Sequence, residues 1–244
     1  MNSYYLTDPG KVRTHNEDSV IILTNKNNET LMIVADGMGG HRSGEIASSI
    51  VVSHVGKSFT SKETIGTKEE AKEWMQTVIS ESNVLIYKYT IDNPDSMGMG
   101  TTIVMSLISK DFLLFGNIGD SSGYVLKNNH LHKITVDHTL VNLLVKSGEL
   151  TEEEAREHPR RNVLMRALGT NMSVEMDIFD VETDVDGILL SSDGLTNMLK
   201  DDQITKVLLE ETPVENRVKK LIIKCNNRGG TDNISIAYLE KKEG

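Results

Sequence analysis

The stretch that decides the fold is residues 31–41, which read LMIVADGMGGH. The five consecutive apolar residues Leu31–Ala35 predict a buried strand, and Asp36-Gly37 follows them directly. Glycine lets the backbone bend and come close to a ligand. The stretch therefore predicts a strand inside a sheet, with a carboxylate at its end beside a flexible turn.

The same arrangement recurs along the chain. The other aspartates at strand ends lie in Gly119-Asp120-Ser121, in Ser192-Asp193-Gly194 and in the run Gly229–Asn233 with Asp232, and Glu17-Asp18 precedes the first strand run. One Asp-Gly pair is usually a solvated turn, but four beside apolar strands indicate a shared site. Clustered carboxylates repel one another unless a cation neutralises them, and oxygen ligands suit magnesium and manganese.

Short apolar runs separated by polar turns predict antiparallel sheets. The run Lys127–His130 predicts a hairpin, because asparagine tolerates the left-handed turn conformation. The expected strands are Ser19–Thr24, Thr30–Ala35, Thr101–Ser109, Phe112–Asn117, Gly123–Leu126, Leu131–Thr135, Val174–Val181, Gly187–Ser191 and Asn233–Leu239.

Helical patterns occupy the intervals between these groups of strands. The expected helices are Gly44–Phe59, Lys68–Tyr89 behind a capping box of Thr67 and Glu70, Asp202–Glu210, and one that opens with Thr212 as cap and Pro213 as first helical residue. Strands and helix pairs alternate in blocks, which favours an α+β architecture over a parallel doubly wound sheet. Residues 147–162 are expected to form an exposed excursion with one short helix, capped by Thr151 and Glu154.

Composition narrows the possible functions. The 244 residues carry a formal net charge of −10 and no long basic run, which argues against nucleic acid as a partner. The single cysteine, Cys225, suits a reducing compartment, and no apolar segment is long enough for a signal core or a membrane span. Without a linker or repeat, the sequence predicts one cytoplasmic domain over residues 1–244 that does not bind a membrane.

These residues, in this order, resemble the type 2C (PPM) family of metal-dependent protein phosphatases, and its compact bacterial members in particular. The resemblance rests on Gly10–Arg13, His15–Asp18, Val34–His41, Ser43–Glu45, Gly98–Thr102, Gly119–Ser121, Asp137–Thr139, Arg161-Asn162, Ser192–Gly194 and Gly230–Asn233. One such string would be weak evidence, whereas the ordered set covers nearly the whole chain.

The resemblance implies an α-β-β-α sandwich, in which two packed antiparallel sheets are flanked by helix pairs. It also implies two manganese or magnesium ions between the sheet ends. Asp36 would bridge them with the Gly37 carbonyl as a further ligand, and Asp193 and Asp232 would hold the first ion. Glu17 and Asp18 would act through water, and Asp120 together with Asp193 would hold a weaker third ion.

The implied reaction is hydrolysis of phosphoserine and phosphothreonine in proteins by a metal-bridging water, opposing a bacterial serine/threonine kinase. Arg13 would grip the phosphate. The sequence departs from family patterns at two places. Met38 stands where animal relatives have a histidine proposed as general acid, so the acid could be His41, His15 or a metal-bound water. Ser122 stands where bacterial relatives usually have arginine.

Three other functions compete with this interpretation. A phosphatase dedicated to one phosphoprotein of a sporulation or stress switch would usually carry a sensor domain. An inactive binding protein would be expected to have lost one of the ligand carboxylates. A two-metal nuclease would not explain the acidic charge or Arg13 ahead of Glu17-Asp18. Phosphoprotein substrates, a cognate kinase and a monomeric state are therefore the expected partners and assembly.

Overall fold

The computed structural model describes residues 2–39 and 43–241. Their strands alternate apolar and polar residues or are apolar throughout, as strands of packed sheets do. The strands are β1 (Asn2–Asp8), β2 (Asp18–Thr24), β3 (Thr30–Met38), β4 (Gly100–Thr101), β5 (Ile103–Ile108), β6 (Leu113–Ile118), β7 (Ser122–Lys127), β8 (His130–Lys133), β9 (Asp177–Val181), β10 (Gly187–Ser191) and β11 (Ile234–Glu240).

These strands form two antiparallel sheets. One has the order β1-β11-β10-β7-β8. The other has the order β2-β3-β5-β6-β9, and the short β4 pairs with the end of β3. In the second sheet β3 is central, and its register places Asp36 opposite Asp18 of β2. The decisive stretch of the sequence therefore lies in the middle of a sheet, with its aspartate at the sheet's end.

The helices are α1 (Ser43–Ser61), α2 (Lys68–Asp92), α3 (Leu140–Ser147), α4 (Glu152–Glu157), α5 (Asp193–Thr196), α6 (Asp201–Leu208) and α7 (Val214–Asn227), with a 3₁₀ turn over Pro94–Ser96. The capping boxes of Thr67 with Glu70 and of Thr151 with Glu154 are both present, as predicted. No helix in the described residues is long and apolar enough to cross a lipid bilayer.

The protein has four layers, two of helices and two of strands, and one apolar cluster fills each of the three spaces between them. The inner faces of the two sheets pack together, with residues such as Phe115 and Val34 against Ile188 and Leu190. The helix pair α1–α2 covers the outer face of the β2–β9 sheet. The pair α6–α7 covers the other sheet. The predicted α-β-β-α sandwich is therefore confirmed.

Several predicted boundaries were wrong. The polar N-terminus forms the edge strand β1, which the sequence did not signal because only its alternate residues are partly buried. The strand predicted for Thr101–Ser109 is interrupted at Thr102, and the one predicted from Val174 begins at Asp177. Pro213 occupies the cap position of α7, which begins at Val214, so Thr212 is not the cap.

The exposed excursion is longer than predicted. It contains a helix, α3, before the expected short helix α4, because Thr139 caps α3 and Gly148 ends it in the left-handed conformation. An isolated bridge between Thr139 and Leu164 closes its base. We call residues 140–163 the flap.

Candidate functional site

A pocket of about 520 Å³ opens where the ends of the two sheets meet. The predicted site residues that line it are Arg13, Glu17, Asp36, Gly37, Asp120, Asp193 and Asp232. Asp18 does not line the pocket but is buried next to it, with 7% of its surface exposed. The fold therefore brings together all the acidic residues that the sequence analysis selected.

Asp36 is held by backbone and hydroxyl groups of the break between β4 and β5. Its N–H donates to Thr102 Oγ1 at 3.0 Å, and its carbonyl accepts from the N–H of Thr102 at 2.8 Å. Thr102 Oγ1 also lies 2.7 Å from Ser121 Oγ, directly after Asp120. The Thr102 side chain thus connects the turn that carries Asp36 with the turn that carries Asp120.

Asp193 is the first residue of α5, at the end of β10. Its Oδ2 accepts from Asn197 Nδ2 at 2.9 Å. The preceding Ser192 donates its hydroxyl to Asp18 Oδ2 at 2.7 Å and accepts from the N–H of Ser235 at 2.9 Å. Asp18 and Asp193 come from different sheets, so Ser192 fixes their relative position.

Arg13 and Asp232 form an ion pair at the mouth of the pocket, with Nη2 2.8 Å from Oδ2. The neighbouring Asn233 anchors the loop that carries Arg13. Its Nδ2 donates to the carbonyls of Pro9 and His15, and its Oδ1 accepts from the N–H of Glu17. One asparagine therefore holds the N-terminal loop against the last strand.

Two glycines are required by close packing. A Cβ at Gly37 would lie 2.1 Å from the carbonyl oxygen of Gly44 and 2.5 Å from that of Glu17. A Cβ at Gly194 would lie 1.9 Å from the carbonyl oxygen of Asn233. Any side chain there would separate the turns that bring Asp36 and Asp193 together.

Burial and mutual repulsion make these carboxyl groups hard to ionise. Burial, followed by repulsion from Asp18 and Asp193, raises the pKa of Asp36 well above its ordinary value. Burial also raises the pKa of Asp18 to about 7, that of Asp120 to about 7 and that of Asp193 to about 6. Such shifts in one cleft are typical of functional sites.

The donor set fits a hard divalent cation. Buried Asp18 Oδ1 and Asp193 Oδ1 have no hydrogen-bond partner among residues 2–39 and 43–241, and carboxylate oxygens are what magnesium and manganese prefer. As the side chains stand, no three His, Cys, Asp or Glu of the described ranges are arranged to hold an ion. Ser192, Asn197 and Arg13 hydrogen-bond the carboxylates of Asp18, Asp193 and Asp232 respectively.

The Gly119-Asp120 turn has a second anchor at the base of the flap. The N–H of Gly119 donates to His138 Nδ1 at 3.1 Å, and His138 Nε2 lies 3.1 Å from Asp177 Oδ2. Two residues near the end of the flap, Asn162 and Leu164, line the pocket. The flap is therefore part of the pocket wall.

One candidate proton donor, His15, lies in the pocket wall. Met38 lines the pocket where animal relatives have histidine. His41 lies outside the described residues. Ser122 is buried in β7 and contacts the carbonyl of Asp120, so the position usually held by arginine is a strand residue here.

Comparison with known proteins decides the family. The model of the family described as Protein phosphatase 2C matches residues 11–225. The chain belongs to the protein phosphatase 2C family. This confirms the predicted family, and with it the predicted enzyme class, a protein phosphatase.

Proteins of known name or structure are similar to this chain over nearly its whole length. The chain is 40% identical over 242 residues to the "Serine/threonine phosphatase stp" of Listeria welshimeri, covering 99% of this chain and 96% of that protein. It is 36% identical over 239 residues to "Protein phosphatase PhpP" of Streptococcus pneumoniae, covering 98% and 96%. The solved S. agalactiae serine/threonine phosphatase superposes with a TM-score of 0.94 at 38% identity, covering 99% of both chains.

Five polar residues that orient the carboxylates in this phosphatase were not predicted from the sequence. Thr102, Ser121, Ser192, Asn197 and Asn233 each bond a site residue or its loop. All but Asn197 stand directly beside or within the strings that carried the family resemblance. These residues could have been predicted as partners of the carboxylates from their positions at the ends of apolar strands, because buried hydroxyl and amide groups need hydrogen-bond partners.

Proposed function

We propose that this protein hydrolyses phosphoserine and phosphothreonine in other proteins with the help of bound manganese or magnesium ions. One observation carries the proposal: carboxylates from four separate turns converge on one pocket beside Arg13, and burial raises the pKa of several of them. The relatives named as serine/threonine phosphatases support the choice of substrate.

Asp36, the Gly37 carbonyl, Asp193 and Asp232 would hold two ions, with Glu17 and Asp18 acting through water. Asp120 together with Asp193 would hold a weaker third. When bound, the ions supply positive charge to the phosphoryl oxygens and lower the pKa of an attacking water. This charge offsets the acidic character of a chain of net charge −10.

The chain's own residues would orient the substrate and handle protons. The side chain of Arg13 is 55% exposed at the pocket mouth, so its guanidinium can offer N–H groups to a phosphate while Nη2 keeps its bond to Asp232. The carboxyl groups of Asp18 and Asp120 are partly protonated near neutral pH without a cation, because burial raises their pKa to about 7. Cation binding would therefore release protons.

The role of Cys225 is structural. Its thiol is buried, and burial raises its pKa to about 12, so it cannot act as a nucleophilic thiolate. A lone buried thiol suits the reducing cytoplasm proposed for this protein. We further propose a monomer with a single catalytic domain over residues 1–244, acting against a cognate serine/threonine kinase. His41, His15 or a metal-bound water would be the general acid.

The proposal is tested with phosphothreonine and phosphotyrosine peptides, with manganese, with magnesium and with chelator. Phosphate release from the phosphothreonine peptide should require a metal and should be lost in Asp36→Asn and Asp193→Asn. The phosphotyrosine peptide should be a poor substrate. Glu63→Gln, which changes an exposed carboxylate in the loop between α1 and α2, is the matched control and should leave activity unchanged.

Activity that survives chelator and both aspartate substitutions would mean that the acidic turns are structural. Manganese titration by calorimetry separates the two possible failures. Binding that is lost in Asp36→Asn, without phosphatase activity in the unsubstituted protein, would retain the metal site and reject the reaction.

A further inference from the structure

A second cleft lies between α6 and α7, on the outer side of the five-stranded sheet. It has a volume of about 410 Å³, and buried Leu199 and Val207 form its apolar floor. The basic residues on its walls are Lys206 of α6, Lys220 and Lys224 of α7, and Arg228 just after α7. The chain as a whole has a net charge of −10, so this cleft differs from the average surface.

Most of this positive charge is not neutralised within the fold. Lys220 Nζ donates to both carboxylate oxygens of Glu210, at 2.7 and 2.8 Å. Among the described residues, Arg228 donates to neutral atoms alone, the carbonyl of Met198 and the side-chain oxygen of Gln203. Exposed Lys206 and Lys224 make no ion pair with any residue in the described part of the chain.

The cations are spread along the cleft. The bonds of Lys220 to Glu210 and of Arg228 to Gln203 show that α6 and α7 run antiparallel. Lys220 and Arg228 are eight positions apart, which is about 12 Å at the helical rise. One phosphate or sulfate cannot contact both ends of such an array, whereas about four residues of extended peptide can.

One end of the cleft is connected to the active site. Leu199 follows Asp193 by six residues, and Arg228 precedes Asp232 by four. Because Arg228 and Asp232 are four residues apart, the distance between their α-carbons is at most about 14 Å. A phosphoprotein segment with its phosphate in the pocket would therefore reach the cleft after about four residues.

We propose that this cleft binds an acidic segment of the protein substrate, through carboxylate side chains four to eight residues away from the phosphorylated residue. The inference rests on the proposed function. Of the described acidic residues that line the cleft, Glu210 is paired with Lys220 and Asp202 alone is unpaired, so a carboxylate-rich segment complements the free charges of Lys206, Lys224 and Arg228. Its methylene groups would lie on the floor of Leu199 and Val207.

Lys206 and Lys224 also lie in the last turns of their helices, where a cation stabilises the exposed carbonyls. If that were their only role, neutralising them would lower the melting temperature and leave substrate choice unchanged. The experiment therefore measures both quantities.

The test compares a phosphothreonine peptide with neutral flanks with versions that carry four glutamates at positions four to eight on either side. The full-length manganese-loaded enzyme should show a KM about three- to fivefold lower for one acidic version, as two or three exposed ion pairs allow. The preference should fall between 50 and 300 mM salt, because salt screens exposed charges. The double variant Lys206→Gln/Lys224→Gln should lose the preference and keep its kcat on p-nitrophenyl phosphate.

The matched control is Lys57→Gln/Lys88→Gln, which removes two exposed lysines from the α1–α2 pair on the opposite layer. It should keep the preference. Equal KM values for all peptides, the same loss in the control pair, or a lowered melting temperature with an unchanged KM ratio would each overturn the docking proposal. Absence of metal-dependent hydrolysis of p-nitrophenyl phosphate and of the neutral peptide would instead reject the proposed function.

Discussion

Replacing Thr102 by valine removes one hydroxyl from the point where the turn of Asp36 meets the turn of Asp120. Valine keeps the shape of the side chain, including the methyl group that packs against Gly119. It leaves two groups without their partner, the N–H of Asp36 and the hydroxyl of Ser121. The substitution therefore perturbs the orientation of the site without creating a cavity.

The magnitude follows from these two lost bonds. Each unsatisfied buried polar group costs about 1–3 kcal/mol. Asp36 is only partly buried and the Ser121 hydroxyl can rotate, so the free energy of unfolding should fall by about 2 kcal/mol. For a chain of this size the melting temperature should fall by about 4–8 °C. Loss of a group that orients a metal ligand typically lowers metal affinity by about 10- to 100-fold. The manganese affinity of Thr102→Val should decrease by a factor in that range.

The assays are thermal unfolding, manganese titration by calorimetry and steady-state kinetics on a phosphothreonine peptide. Thr102→Ser retains the hydroxyl and loses only the methyl group, so its manganese affinity should stay close to that of the unsubstituted protein. Thr60→Val is the matched control, because the Thr60 hydroxyl donates to the carbonyls of Gly56 and Lys57 in its own helix, at the end of α1 away from Ser43. It should leave manganese affinity unchanged.

Unchanged manganese affinity in Thr102→Val would refute the role assigned to this hydroxyl. A fall of similar size in Thr60→Val would show that general stability, rather than the orientation of Asp36, controls metal binding. The sharpest support would be a tenfold loss of affinity in Thr102→Val that Thr102→Ser does not share.

The other predictions concern charge and conformation. Arg13→Ala should raise KM for a phosphopeptide by about tenfold, because a charge-assisted bond to phosphate contributes about 1.5–3 kcal/mol. Arg13→Lys should restore only part of the lost affinity, and a KM of Arg13→Ala equal to that of the unsubstituted protein would contradict this role of Arg13. The metal-free protein should melt at a lower temperature at pH 8 than at pH 5.5, because burial raises the pKa of Asp18 to about 7 and stability is lost as the pH rises through that value. Bound manganese should reverse this trend. Calorimetry in two buffers of different ionisation enthalpy should show that manganese binding releases protons. Cys225 should react with a thiol reagent only after unfolding, because burial raises its pKa to about 12; fast reaction of the folded protein would show that the thiol is accessible. Asn128→Val should lower the free energy of unfolding by about 1–2 kcal/mol, since Asn128 has φ of 52°, in the left-handed region. Asn128→Gly should be tolerated, and equal melting temperatures of the two variants would contradict this.

The order of strands and helices followed from local patterns. The apolar run Leu31–Ala35 forms the centre of β3, and the Asn128-Asn129 turn has both residues in the left-handed conformation, at φ 52° and 63°. Side-chain periodicity and turn chemistry are properties of neighbouring residues, so one sequence is enough to detect them. The edge strand β1 was not predicted from the sequence, because its pairing partner, β11, lies more than 220 residues further along the chain.

The candidate ligands were also visible locally, as aspartates beside glycine at strand ends. Their supporting contacts were not. Asp36 depends on Thr102, Asp18 on Ser192, and the Arg13 loop on Asn233. Each of these bonds joins residues between 66 and 216 positions apart, so no local spacing could have indicated the pairing.

By itself the sequence determined the elements, the acidic turns and the family that they indicate, because hydrophobic periodicity, glycine at turns and carboxylate chemistry are encoded within a few residues. Only the tertiary structure decided which buried hydroxyl and amide groups hold each carboxylate, how far the shared burial raises their pKa values, and where uncompensated lysines line a cleft. Those properties depend on distances and solvent exclusion between segments that are far apart in the chain, and only the packed layers fix them.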